Sequence, residues 1–229
     1  MSSYFLINLF IIAFPLALSF ERKVKYYKNF PPLFFAIVTG TIPYLIWDSI
    51  AAHRGDWSFN PDHVFDHTLM SLPVEEILFF FTVPFSSLFI YESLSVNFRE
   101  YRFKFNRLLF LILPIILFCG AAVFSTQYYT STVLVFSGVF FLTAILFSDT
   151  LIKSSTYWLY ILISYIPFLI VNYVLTSIPI VIYNHEAIWG KRFLTIPLED
   201  FFYSFSMLSF YLFFYLIYKN IWQKITQLQ

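Results

Sequence analysis

Apolar stretches of about twenty residues, with few or no charges, alternate with short polar segments along most of this chain. Residues 4–20, 30–50, 74–94, 108–125, 131–148, 157–179 and 200–218 are each apolar, and each is close to the roughly 20 residues that a helix needs to cross a hydrocarbon core. The run from Leu108 to Ser148 carries no charge over 41 positions, too long for one crossing, and the polar cluster Ser125–Thr132 divides it in two. The first stretch has no basic residue ahead of it and no small-residue cleavage site, so it reads as a retained span rather than a signal peptide. The pattern predicts an all-α integral membrane protein with about seven transmembrane helices.

Between the spans the basic residues are unevenly shared. Segments 21–29, 99–107, 149–156 and 219–229 hold eleven of the fourteen Lys and Arg, and the opposite side holds Arg54, Lys191 and Arg192. Positive charge marks the cytoplasmic side of a membrane. This predicts a cell-membrane protein with its N-terminus outside and its C-terminus in the cytoplasm.

One polar pattern occurs twice. Asn60 and Pro73 stand thirteen positions apart, followed by Glu75 and Glu76; Asn184 and Pro197 stand thirteen apart, followed by Glu199 and Asp200. A shift of 124 residues also lays Ile42-Pro43-Tyr44-Leu45-Ile46-Trp47-Asp48 on Ile166-Pro167-Phe168-Leu169-Ile170-Val171-Asn172, and between positions 42 and 91 it gives eleven identities. Each copy spans three predicted helices, and copies joined by one extra crossing point the same way. The expected organisation is therefore two parallel three-helix repeats, 1–96 and 128–229, joined by a connecting region 97–127 that holds the fourth span. Both Asn-to-Glu loops then fall on the extracytoplasmic face of one central cavity.

Composition fits this reading: 59% of residues are hydrophobic and only 12% charged, against roughly a quarter charged in soluble domains. The five glycines are too scattered for a nucleotide loop. The single Cys119, in an apolar run, reads as small core filler and offers no thiolate cluster. Aromatic residues reach 24%, and ring faces on a cavity wall attract positive charge by about 0.5–2 kcal/mol each.

The carboxylates carry the candidate chemistry. Proline followed by acids suits the first turn of a helix, where the dipole favours negative charge, but capping alone does not require the same distance from Asn in both copies. Asp48 and its counterpart Asn172 lie within apolar spans, where polar side chains are functional candidates by default. Two carboxyls in a dry pocket do not ionise together easily, which equips them for acid–base work. Glu75, identical to Glu199, is the expected inward residue of its pair, with Glu76 and Asp200 as supporting neighbours.

The doubled Pro-x-Glu-Glu/Asp motif, the upstream Asn and the three-span repeat joined by one extra span resemble the membrane-integral lycopene cyclases. That family includes two-subunit bacterial enzymes, fused archaeal and bacterial forms, and the cyclase part of a fungal bifunctional enzyme; here both halves sit in one chain. The resemblance covers nearly the whole sequence. It implies an isomerase (intramolecular lyase) that forms ionone rings, expected to be β, from lycopene or a related acyclic carotenoid, with no cofactor and no metal. Alkene protonation, carbocation cyclisation and deprotonation would use Glu75, Glu199, Glu76 and Asp200, with Asn60 and Asn184 orienting the acids and Asp48 and Asn172 beside the substrate. The expected surroundings are a lipid bilayer and no nucleic acid, with a homo-oligomer left open.

Weaker signals compete. His63 and His67, interleaved with Asp62 and Asp66, have a spacing that could seat a divalent metal, but Ala187 and Lys191 replace the histidines in the second copy; these, with His53 and His185, read as polar loop residues. Asn60-x-Asp62-x-x-x-Asp66 loosely matches the magnesium–pyrophosphate motif of membrane prenyltransferases, yet the second copy lacks it. A small proton-coupled transporter is a third reading. Trp57 and Trp189 are expected at the membrane interface, and Lys191-Arg192 as a loop charge pair.

Overall fold

The structure, a computed structural model, describes residues 2–104, 106 and 110–228. It contains the helices α1 (Ser3–Leu18), α2 (Phe30–Arg54), α3 (Val74–Asn97), α4 (Ile112–Val123), α5 (Tyr128–Phe147), the single turn α6 (Asp149–Ile152), α7 (Ser155–Ser177) and α8 (Leu198–Gln227). A 3-10 turn, Tyr26–Asn29, leads into α2.

Among the described residues, five helical stretches are long and apolar enough to cross a membrane: 26–54, 74–97, 128–147, 155–177 and 198–227. The first and fourth predicted spans appear as the shorter α1 and α4, of 16 and 12 residues. At 1.5 Å per residue these reach about 24 and 18 Å, against a hydrocarbon core of about 30 Å. Residues 108 and 109 of the predicted fourth span lie outside the described residues. The last helix continues well beyond the predicted end at 218, because Lys219 does not break it: its Nζ lies 2.5 Å from Oε1 of the buried Glu92.

Local sequence explains several junctions. Ser2 and Ser154 cap α1 and α7 by accepting hydrogen bonds from Phe5 N and Tyr157 N, which satisfies donors that the first helical turn leaves free. Gly55, with φ of 82°, ends α2 in the left-handed conformation that a side chain would disfavour. Pro15 and Pro84 sit inside α1 and α3, where each removes a donor and frees the carbonyl four residues back. In an apolar medium such a carbonyl needs another partner. Ser86 Oγ donates to Ile11 O at 2.9 Å, tying α3 to α1. Thr41 Oγ1 and the Tyr211 hydroxyl lie 2.8 Å apart and both within reach of Phe80 O, at 3.1 and 3.3 Å, so that one donates to the other and the second to the carbonyl, tying α2 and α8 to α3.

Helices α1 and α3, α2 and α8, α3 and α7, α5 and α8, and α4 and α5 pack against one another. Their shared core is unusually rich in tyrosine. Tyr26, Tyr44, Tyr157, Tyr160 and Tyr215 are fully buried, and each hydroxyl meets a carbonyl, serine or carboxylate partner, as buried polar groups must.

Short β ladders join the loops at one end of the bundle. Strand β1 (Trp57–Phe59) pairs antiparallel with β4 (Val181–Tyr183), Trp57 facing Tyr183 and Phe59 facing Val181. Two tight hairpins, β2 (Thr68–Leu69) with β3 (Leu72–Pro73) and β5 (Arg192–Phe193) with β6 (Ile196–Pro197), lead into α3 and α8. The all-α expectation omits these strands because two or three residues are too few for an alternating pattern to register.

The loop bonding itself recurs after 124 residues. Asn60 N bonds Ile180 O, and Asn184 N bonds Asp56 O; Val74 N bonds His67 O, and Leu198 N bonds Lys191 O. Met70 and its counterpart Leu194 both take positive φ, 55° and 56°.

Candidate active site

A cavity of about 650 Å³ lies between α1, α3, α7 and α8 and reaches the β1–β4 ladder. Its wall is mostly apolar and aromatic, with three carboxyls on it: Asp48 of α2, Glu76 of α3 and Asp200 of α8. On one side it reaches exposed apolar residues on the outside of the bundle, Phe10 and Phe14 of α1 and Ile166 and Ile170 of α7, which are 72%, 69%, 61% and 54% exposed.

The three carboxyls are buried at 2%, 8% and 4% exposure, and each is held by phenols. Tyr4 donates to Glu76 Oε2 at 2.6 Å, and Tyr203 donates to Asp48 Oδ1 at 3.1 Å. Asp48 and Glu76 line the same cavity wall, and two carboxyls in one dry pocket do not ionise together easily. Asp200 accepts on both oxygens, from Tyr129 at 2.6 Å and Tyr183 at 2.9 Å. Burial and the Asp200 carboxyl push the Tyr183 phenol well above the ordinary tyrosine range, so it keeps its proton as a donor.

Rings close around these groups. Trp57 lies 5.1 Å from Tyr129 and 6.4 Å from Tyr183, and Tyr129 stacks on Tyr183 at 5.6 Å. Phe59 and Phe79 also face the cavity. The arrangement combines two buried carboxyls on one wall, a third fixed by two hydroxyls, and π faces that favour nearby positive charge.

The expectation that Glu75 and Glu199 face inward is corrected. Adjacent helical residues point about 100° apart, and the first turns of α3 and α8 are rotated so that Glu76 and Asp200 meet the cavity. Glu75 and Glu199 instead turn back into their own loops: Glu75 Oε1 accepts from Phe65 N at 2.7 Å, and Glu199 Oε1 accepts from Trp189 N at 2.5 Å and from Thr130 Oγ1 at 2.6 Å. Asn60 and Asn184 do not touch the acids. Their Oδ1 atoms accept from Asp62 N and Glu186 N, closing the turn two residues on, and Asn184 Nδ2 donates to Gly55 O. Asn172 does line the cavity, with Nδ2 donating to Phe168 O.

Other expectations sort by loop. Asp62, Asp66 and His67 are exposed, as are His53 and His185, while His63 Nδ1 meets Ser3 Oγ at 3.0 Å. No group of three or more metal-binding side chains forms among the described residues. Trp57 is buried on the cavity wall rather than exposed as an interface anchor would be, because strand pairing turns it inward; Trp189 is half-exposed against Phe124. Lys191 and Arg192 are exposed, with Arg192 5.9 Å over the Tyr183 ring. Cys119 is exposed on α4 rather than buried as filler, because α4 packs only one face onto α5.

The tyrosines that hold the carboxyls escaped sequence reading. Tyr183 and Tyr203 stand where the first copy has Phe59 and Phe79; a hydroxyl present in one copy only was the available signal.

Comparison with known proteins adds one finding. A family model described as lycopene cyclase matches residues 1–94 and 126–218. No curated protein and no solved structure matches the chain.

Proposed function

The chain belongs to the lycopene cyclase family, and we propose that it closes β-ionone rings on the ends of lycopene, or a related acyclic carotenoid, as an isomerase (intramolecular lyase). The observation that carries the proposal is the set Asp48, Glu76 and Asp200 on the wall of one aromatic cavity. An alkene is a very weak base, so it needs an acid freed from water, and a carbocation needs walls that stabilise it without reacting.

In the proposed reaction the Asp48–Glu76 pair gives a proton to the terminal alkene, leaving a tertiary carbocation. The neighbouring double bond attacks that carbon, forming the ring C–C bond and moving the positive charge into the ring. Asp200 then takes a ring proton, and the electrons of the broken C–H bond become the ring alkene. One proton enters and one leaves, so the product is an isomer. The phenols of Tyr129 and Tyr183 hold Asp200 in position, and the rings of Trp57, Tyr129 and Phe79 face the migrating charge. Glu75 and Glu199 act as positioning residues that fix the loops above the cavity, with Asn60 and Asn184 shaping the same loops and Asn172 contributing to the substrate wall.

The architecture proposed with this function is two parallel three-helix repeats, 1–96 and 128–229, with 97–127 between them and α1 and α4 completing seven spans. The recurrence of loop hydrogen bonds after 124 residues supports it, and the distribution of Lys and Arg supports an outside N-terminus and a cytoplasmic C-terminus in the cell membrane. The test is expression in cells that accumulate lycopene, followed by pigment analysis. Ring-bearing carotenoids are expected; unchanged lycopene beside well-expressed protein would refute the proposal.

A further inference from the structure

The recurrence at 124 residues creates the same groove twice, but among the described residues only one copy is open. Between α3 and α7 the wall carries Ser87 and Ser164, and both line the cavity. The counterparts of these two residues are Tyr211 and Gly40, between α8 and α2. There the Tyr211 ring lies so close to Gly40 that a Cβ on the glycine would sit 2.5 Å from Tyr211 Cδ1. The Tyr211 hydroxyl is further tied to Thr41 Oγ1 at 2.8 Å and to Phe80 O at 3.3 Å.

The rest of the second groove is filled as well. Trp47 stacks on Phe136 at 4.9 Å and lies 5.0 Å from Tyr203, and Tyr44 lies 4.9 Å from Phe136. The residue at the position of Trp47 in the open groove is the smaller Val171, and it faces the cavity. Asp48 belongs to the helix of the filled groove, yet it lines the open one together with Glu76. The Ser164 hydroxyl is buried on the open wall with no hydrogen-bond partner among the described residues.

We propose that the chain has a single working chamber, kept open by the small pair Ser87 and Ser164 where its twin is plugged by Tyr211 on Gly40, so that each binding event closes one ring. This rests on the cyclase reading above. The two ends of a symmetric polyene are then processed in separate encounters, with the unreacted half of the chain lying in the lipid-side opening between α1 and α7. Each encounter is balanced in itself: one proton added, one C–C bond formed, one proton lost. A one-ring carotenoid is therefore a released product, and a two-ring carotenoid requires rebinding by the other end.

The test is a progress curve with the detergent-solubilised protein and lycopene in mixed micelles, substrate in large excess over protein. The one-ring product is expected to accumulate ahead of any two-ring product, with the two-ring fraction falling as lycopene is raised. Two-ring product formed from the earliest times, in a proportion independent of lycopene, would overturn the single chamber while leaving the cyclase reading intact. No ring formation at all would overturn both.

The double variant Ser87→Tyr/Ser164→Gly rebuilds the Tyr–Gly plug in the open groove. It is expected to lose ring formation while keeping the chromatographic profile and melting temperature of the unmodified protein. A folded double variant with full activity would overturn the assignment of the chamber. Should the variant not fold, the progress curve on the unmodified protein still decides the proposal.

Discussion

The sharpest test of the carboxyl assignment is a pair of isosteric substitutions one residue apart, Glu76→Gln and Glu75→Gln. Glu76 Oε2 accepts from the Tyr4 hydroxyl at 2.6 Å, and its carboxyl lines the cavity with that of Asp48. Glutamine keeps an acceptor for Tyr4, so the fold should lose no more than about 1 kcal/mol, the net value of a typical hydrogen bond. The chemistry should lose far more, because the amide cannot deliver a proton to an alkene. General acid catalysis contributes roughly 10²–10⁴-fold, equivalent to about 3–5.5 kcal/mol of barrier.

Glu75→Gln makes the opposite prediction. Its Oε1 accepts from Phe65 N at 2.7 Å inside the loop and does not face the cavity, and the amide oxygen can accept the same bond. Activity is expected to stay within about tenfold of the unmodified protein, corresponding to about 1.4 kcal/mol of barrier. The measurement is the initial rate of lycopene loss with purified protein in liposomes, normalised by a melting curve for each variant. Full activity in Glu76→Gln, or loss confined to Glu75→Gln, would refute the reasoning and restore the assignment suggested by residue identity between the copies.

Three further outcomes follow from the same geometry. Tyr129→Phe and Tyr183→Phe each remove one of the two donors to Asp200; at about 1.5–3 kcal/mol for a hydrogen bond to a charged group, each should slow ring closure by roughly 10- to 150-fold in the liposome assay, and unchanged rates would remove Asp200 from the mechanism. Trp57→Leu keeps bulk but removes a π face from the cavity wall, with an expected slowing of roughly 2- to 30-fold from about 0.5–2 kcal/mol of lost charge stabilisation; a rate equal to the unmodified protein's would argue against cation stabilisation at this ring. Ser86→Ala strands the Ile11 carbonyl that Pro15 frees, so a loss of about 1–3 kcal/mol is expected, read as a lower melting temperature in detergent; no shift would show that another donor reaches that carbonyl.

Much of the fold is legible in one dimension. The long helices α2, α3, α5, α7 and α8 announce themselves because the bilayer selects for uncharged length segment by segment, whatever the neighbours are. The shift of 124 residues is likewise visible as identities, and the recurrent loop bonding of Asn60 and Asn184 follows it. The shorter α1, Ser3–Leu18, follows its predicted bounds of 4–20 within two residues, while the predicted fourth span begins among residues outside those described. The orientation of Trp57 is not legible along the chain, because its partner across the ladder, Tyr183, is distant in sequence and decides which way the ring turns.

The doubled Asn-to-Glu spacing is enough to identify the family and to put acids at the entrance of apolar helices. It does not say which acid of each adjacent pair faces the cavity, because that depends on the rotation of α3 and α8 about their axes. The rotation is set by packing onto α1, α2, α5 and α7, so Glu76 and Asp200 turn inward while Glu75 and Glu199 bind their own loops. Nor does the spacing reveal that one groove is open and its twin filled. That difference is one of volume between partners on separate helices, Ser87 and Ser164 against Tyr211 and Gly40, and side-chain volumes compete for space only once the helices are packed.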